Sequence, residues 1–418
     1  MYCGACARDT LLARGMIALG HDFQIVPLYT PIRFDGSDPL PTSRIFLGGI
    51  NVYIEQMLPL WKLVPRGLRG ILDSPLALRW ASRFAVSTKP EDLGPMILSV
   101  LQGSEGKQAA EFADLLAYIQ TSARPDAISI TNSLLTGIAP DIKKRFGIPI
   151  VCGLQGEDTF VKATPEPYRL RIIEQMRSNA DSVDLFLSPS HSYAAIMADF
   201  LRVPMNRIRV ARVGVDASLY RQDARTRPSP FCIGYLGVIT PLKGLDLLVR
   251  AFIALRKRGA DVELAIAGKV LNRSYWVQQV RHLEEAAVSQ HVRYAGELPF
   301  ADKVRFLHAC SAFCMPSRQP ETRAVAALEA QAAGLPVIVP DTGIFPEMLE
   351  ITQGGLMFPI GDSEGIAEAV EELMRDPEAA ARMGQTAAEK VQAHFTPERL
   401  TRETLAAFEE AIRSPLAA

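Results

Sequence analysis

The chain has 418 residues, 48% hydrophobic and 22% charged, which excludes disorder and leaves room for two domains. A net charge of −1 gives no global pull toward nucleic acid or an anionic membrane, so any electropositive site must be local. No basic-then-apolar leader and no run of about 18 apolar residues occur, so neither a signal peptide nor a transmembrane helix is expected.

The chain opens on MYCGACARD. ARDTLLARGMIALGHD reads as a helix, and YCGAC as the glycine turn that leads into it. A Rossmann-like domain places a strand before such a turn, and none is present. The expectation is a reading frame that starts upstream of Met1, or an incomplete first sheet. Gly4 is the informative residue, because its N–H and those of its neighbours would open a helix toward a ligand. Cys3 and Cys6 form a lone C-x-x-C, with no second pair for zinc and no thioredoxin context, and read as small apolar fillers. The remaining cysteines are scattered, so a reduced, cytoplasmic protein with free thiols is expected.

Apolar runs at 23–31, 126–132, 149–155, 185–190 and 208–214 read as strands separated by helices. Asn132 closes the second of these, and the third ends at Gln155 and leads into Gly156, Glu157 and Asp158, all candidates for binding ligand hydroxyls. The two carboxylates have the alternative role of capping the next helix. Ser190 reads as an N-cap. Between the first two runs, residues 61–89 interleave Trp61, Trp80 and Phe84 with Arg66, Arg69, Arg79 and Arg83. This segment reads either as a helical insertion packed on its own domain or as a peripheral membrane contact.

A polar, proline-bearing stretch at 221–230 reads as a linker. Beyond it, short apolar strands alternate strictly with helices: FCIGYLG, VELAIAG, VRYAGE, AFCMPS, PVIVPD and GLMFPI. Continuous apolar strands between helices mean a parallel sheet covered on both faces, with ligands at the carboxyl ends of the strands. The fold class is therefore α/β: two facing Rossmann-like domains, 1–217 and 218–396. An amphipathic helix at 397–418 is expected to pack back on the first.

Two motifs in the second half carry chemistry. In GYLGVITPLKGLD, Lys243 stands where a helix begins, and a lysine against the positive end of a helix macrodipole calls for an anion. Gly237 and Gly296 close two of the strands and join it as binding candidates. In PSRQPETRAVAALEAQAAGLPVIVPDTGIFPE, Glu321 is expected to start a helix, with Glu329 about two turns along it. A carboxylate accepts two hydrogen bonds side by side, which matches a vicinal diol, and the free N–H groups of a helix start suit a phosphate.

Glu, seven residues, Glu, then AAGLPVIV and GIFPE, resembles the family 4 retaining glycosyltransferases of the GT-B fold. The resemblance implies transfer of a sugar from a nucleotide-diphospho-sugar to a hydroxyl acceptor, with retention, without a metal and without a cofactor beyond the co-substrate. It implies donor-sugar contacts for Glu321, ribose contacts for Glu329 and diphosphate contacts for Lys243, with Arg323, Ala324 and Val325 lining the donor. It also implies work on a glycan, lipid or small-molecule acceptor, at the cell envelope or in polysaccharide synthesis. Three positions depart from the family pattern: Val238 replaces an arginine, Ala324 a glycine, and Gln155 stands where a histidine is frequent. They keep open a catalytically weakened nucleotide-sugar-binding relative, and a nucleotide-sugar epimerase of the same architecture is a second alternative. D-x-D, Walker and dinucleotide-binding patterns are absent from the sequence.

Overall fold

The computed structural model describes residues 4–28, 90–221 and 229–416. The 61–89 segment, Cys3 and most of the 221–230 linker lie outside them. The chain divides into two compact units, 1–211 with 401–418, and 212–400.

The first unit carries strands β1 (Ile128–Ile130), β2 (Ile150–Gly153), β3 (Leu185–Ser188) and β4 (Ile208–Val210). They pair in parallel in that order. Its helices are α1 (Gly4–Ala18), α2 (Pro90–Leu101), α3 (Ala109–Tyr118), α4 (Ala139–Phe146), α5 (Glu157–Lys162), α6 (Tyr168–Ala180) and α7 (His191–Leu201). β2 and β3 are buried along their whole length, which is why their sequences are unbroken apolar runs.

Two expectations for this half need correction. Helix α1 starts at Gly4, so Gly4 and Cys6 are helical and not part of a turn. Residues 23–28 form no strand: Val26 and Leu28 pack on the core as irregular chain, and Gln24 accepts a hydrogen bond from Tyr118 Oη at 2.8 Å. Among the described residues the first sheet therefore begins at Ile128.

The second unit forms a six-stranded parallel sheet. Its strands are β5 (Phe231–Leu236), β6 (Val262–Ala267), β7 (Val292–Tyr294), β8 (Ala312–Cys314), β9 (Val337–Pro340) and β10 (Gly355–Phe358). Their order is β10-β9-β8-β5-β6-β7, so the chain reverses direction across the sheet between β5 and β8. That switch point is where the carboxyl ends of an open α/β sheet leave a crevice. Helices α8 (Leu245–Lys257), α9 (Arg273–Glu285), α10 (Phe300–His308), α11 (Val325–Ala332), α12 (Phe345–Thr352), α13 (Ser363–Arg375) and α14 (Pro377–His394) cover the two faces.

The last helix, α15 (Pro397–Arg413), is counted with the first unit from Thr401 onward. There Glu410 forms a bidentate ion pair with Arg209. Beyond α15, Leu416 N donates to Asp184 Oδ1 at 2.7 Å. Among the described residues, no helix is long and apolar enough to cross a membrane. Cys152, Cys232, Cys310 and Cys314 are buried free thiols.

Candidate active site

The β5–β8 switch point brings two loops together. The loop after β5 ends in a single 3-10 turn, Pro241–Lys243. Gly244 then takes φ 69° and caps α8. A Cβ at this position would fall 1.8 Å from the Pro316 carbonyl oxygen, so only glycine admits the approach of the two loops. Arg318 N donates to Leu242 O at 2.9 Å across the same junction. Lys243 Nζ reaches Glu321 Oε1 at 2.5 Å, and Ser317 Oγ donates to the same oxygen at 2.7 Å. The pair is largely buried, with the side chains 23% and 12% exposed.

Glu321 is not on the helix, contrary to the sequence expectation. Helix α11 starts at Val325, and Glu321 lies in the preceding loop. The loop is held against the chain after β9, where Ile344 N donates to Glu321 O at 2.8 Å. Ala324 takes φ 46°, a left-handed conformation that ends the loop and begins the helix. Its carbonyl accepts from Ala327 and Leu328. Among the described residues, the Val325 and Ala326 N–H groups have no such partner at the helix start.

The left-handed backbone at Ala324 costs an L-residue roughly 1–2 kcal/mol. The Ala324 methyl is buried, and removing it forfeits about 0.8 kcal/mol. The two offset, so Ala324→Gly should move stability by less than about 1 kcal/mol. Ala324→Val should cost about 2 kcal/mol or more, because a β-branched side chain fits that conformation worse. Denaturant midpoints of the two variants check this.

Asp246, in the first turn of α8, locks the two loops from below. It accepts from Arg318 on both oxygens, at 2.5 and 2.7 Å, and from Tyr275 Oη at 2.6 Å. The Arg318 guanidinium is thus committed to Asp246. Burial opposes the Asp246 charge, but the Arg318 and Tyr275 hydrogen bonds and the Arg318 charge outweigh it and hold the carboxyl below its usual range. A depressed folded value adds stability that is present above about pH 4 and is lost as pH falls through the folded value. Asp246→Asn should therefore lower the melting temperature at neutral pH and flatten its fall below about pH 4. Melting scans from pH 7 to about pH 2 would show it.

Glu329 lies on α11, where Tyr220 Oη donates to its Oε1 at 2.8 Å and Lys303 Nζ at 2.5 Å. Gly237 and Gly296 meet at Gly268. Gly268 N donates to Gly296 O at 2.7 Å, and a Cβ on Gly268, whose φ is 135°, would fall 1.8 Å from Gly237 O. Three neighbouring strand ends are thus bare backbone.

In the first unit, Asn132 caps a 3-10 turn, its side chain accepting from Leu134 N at 3.1 Å. Gln155 Nε2 donates to Thr131 O at 2.6 Å. Glu157 and Asp158 open α5 and are about 95% buried. Glu157 accepts from Ser133 N at 2.9 Å and Gln155 N at 2.7 Å, and Tyr193 Oη lies 3.0 Å from Asp158. Gly156 N in turn donates to the Tyr193 hydroxyl. Both carboxylates are therefore engaged in tying the ends of β1 and β2 to α5 and α7. Ser190 caps α7, accepting from Tyr193 N. Among the described residues, no three His, Cys, Asp or Glu side chains gather as a metal set.

The sequence family "Glycosyl transferases group 1" matches residues 216–390, which contain both loops and both glutamates of the second unit. A D-inositol 3-phosphate glycosyltransferase of Stackebrandtia nassauensis is 24% identical over 88% of this chain and 87% of its own. The chain is a glycosyltransferase of the GT-B fold. Sucrose-phosphate synthase of Thermosynechococcus elongatus shares this fold at a TM-score of 0.63 and 19% identity, over 73% of this chain and 79% of its own. Anabaena HepE, solved with UDP, does so at 0.61 and 16%, over 78% of this chain and 98% of its own.

The transferase places Lys243 and Glu321 in direct contact and Glu329 four residues into α11. Sequence reasoning missed Tyr220 and Lys303, which hold Glu329, and Asp246 with Tyr275, which hold the Lys243 loop. Their partners lie far along the chain, so no local spacing announces them. Only Phe300-x-x-Lys303, an aromatic and a cation at helical spacing, hints at a built surface.

Proposed function

We propose that this transferase moves a glycosyl group from a nucleotide-diphospho-sugar to a hydroxyl acceptor, with the donor held by the second unit. The observation that carries the reading is the Lys243–Glu321 pair at the β5–β8 switch point, beside the free N–H groups that open α11. The UDP in the HepE structure and the name of the Stackebrandtia relative support a nucleotide donor and a hydroxyl acceptor.

In this reading Lys243 and the Val325 and Ala326 N–H groups face the diphosphate, Glu321 the sugar hydroxyls and Glu329 the ribose. Arg323 and Ala324 line the donor, and Gly237 and Gly296 let it approach bare backbone. The acceptor falls to the first unit, toward Gly4, Asn132, Gln155 and Gly156, with Glu157 and Asp158 shaping that loop.

The C1–O bond to the β-phosphate breaks as the acceptor oxygen attacks C1 from the same face, which gives retention. The acceptor proton passes to the departing phosphate oxygen. Negative charge grows on that oxygen, and Lys243 and the helix-start N–H groups stabilise it without a metal ion or cofactor. One such interaction in a water-poor site contributes about 3 kcal/mol to the transition state.

The test is turnover with UDP-, GDP- and ADP-sugars over a panel of hydroxyl acceptors, read as diphosphate release and as the anomeric proton signal of the product. Release of one nucleoside diphosphate with a retained anomer is the expected result. Binding without release for every pair, or an inverted product, contradicts the reading.

A further inference from the structure

We propose that Lys303 and Tyr220 are positioning residues that aim the Glu329 carboxylate at the ribose diol of a nucleoside diphosphate, and so set the preference for ribonucleotides. The inference rests on the donor reading above.

Both hydrogen bonds to Glu329 land on one oxygen. Tyr220 Oη and Lys303 Nζ reach Oε1, and among the described residues no donor engages Oε2. The carboxylate is 13% exposed, so its second oxygen retains a path to a ligand. One oxygen is anchored and the other presented, which is what a fixed acceptor for a ribose hydroxyl needs.

The anchors are themselves held. Tyr220 is buried, and His308 Nε2 lies 2.8 Å from its carbonyl oxygen. Burial, then the Glu329 charge, push its hydroxyl above the usual phenol range, so it remains a neutral donor. Lys303 Nζ sits 5.5 Å from the Tyr220 ring centroid and 5.1 Å from that of Phe300. The two rings meet edge to face at 5.6 Å. A lysine gripped by a carboxylate and two aromatic rings has little freedom to leave. Without it, Glu329 would swing toward water, and a ribose hydroxyl would meet a carboxylate that must first be ordered.

The test is calorimetric titration of the full chain with UDP, GDP and ADP, each against its 2′,3′-dideoxy form. The tightest pair is carried forward to Lys303→Met, Tyr220→Phe and Lys303→Arg. Wild type should prefer the ribonucleotide by about 10–100-fold, the value of a hydrogen bond to a charged group. Lys303→Met should bring the preference within about threefold, with the dideoxy affinity unchanged. Tyr220→Phe should fall between, and Lys303→Arg should restore most of the preference. Unchanged melting temperatures would separate this from a folding defect. A full preference in both Lys303→Met and Tyr220→Phe overturns the inference and leaves the Glu329 assignment standing. A wild type that holds the ribo and dideoxy forms alike, or holds none of the three nucleotides, overturns the Glu329 assignment and the inference with it.

Discussion

Lys243→Met is expected to lower kcat/KM by roughly 10²–10³-fold. Two effects combine in that figure. The ammonium pairs with Glu321 across the two loops, whereas the Arg318 guanidinium is bound through its two terminal nitrogens by Asp246. Its removal leaves growing charge on the leaving phosphate with only backbone N–H groups to meet it. It also leaves Glu321, 12% exposed, with Ser317 as its remaining side-chain partner among the described residues, so the carboxylate proposed to face the sugar loses part of its anchorage. Glu321→Gln isolates the second effect. It keeps the shape and an acceptor oxygen but removes the charge that holds Lys243, and should cost about tenfold to a hundredfold. Initial rates at saturating acceptor distinguish the two. A loss in kcat marks Lys243 as acting on the transition state, whereas a rise in KM alone would mark it as a uniform binding contact.

Asp184→Asn should destabilise the first unit by about 3–5 kcal/mol, among the largest effects of any single change away from the site. Asp184 and Lys143 form an ion pair at 2.7 Å with side chains 2% and 6% exposed. Asp184 also accepts from Ile150 N at 2.6 Å and Leu416 N at 2.7 Å, so one carboxylate ties α4, the start of β2 and the segment after α15. An asparagine amide leaves the Lys143 ammonium buried without its counter-charge and can satisfy only part of those donors. The melting transition of this unit should fall by about 10 °C. Lys143→Met paired with Asp184→Leu should recover only part of the loss, because the Ile150 and Leu416 N–H groups stay unpaired. Full recovery would mean that the ion pair alone, and not the backbone ties, carries the effect.

The strands of the two sheets were legible in the sequence chiefly because the inner ones, such as β2, β3, β8 and β9, are buried on both faces and cannot alternate polar and apolar residues. The same signal misled at 23–28, where Val26 and Leu28 pack on the core as irregular chain, though among the described residues their backbone pairs with no strand. An apolar run reports burial, and only burial in a sheet makes it a strand. The two loops of the candidate site were half legible. Lys243 and Glu321 stood out by residue type at the ends of predicted strands. Their contact depends on Gly244 passing under the Pro316 carbonyl, a tertiary fit with no local signature. The helix start was misplaced by four residues because Ala324, a strong helix former, takes a left-handed turn that tertiary contacts impose. For Glu157 and Asp158 the sequence left hydroxyl binding and helix capping both open, since nothing there shows that Ser133 and Tyr193 would reach them.

Calorimetric titration of the wild-type chain and of Lys243→Met with UDP, GDP and ADP tests the donor site most directly. One of the three should bind wild type, and Lys243→Met should weaken it by about 10–100-fold. Equal affinity in the two proteins, or no binding of any nucleotide to wild type, would contradict the assignment of the β5–β8 switch point as the donor site.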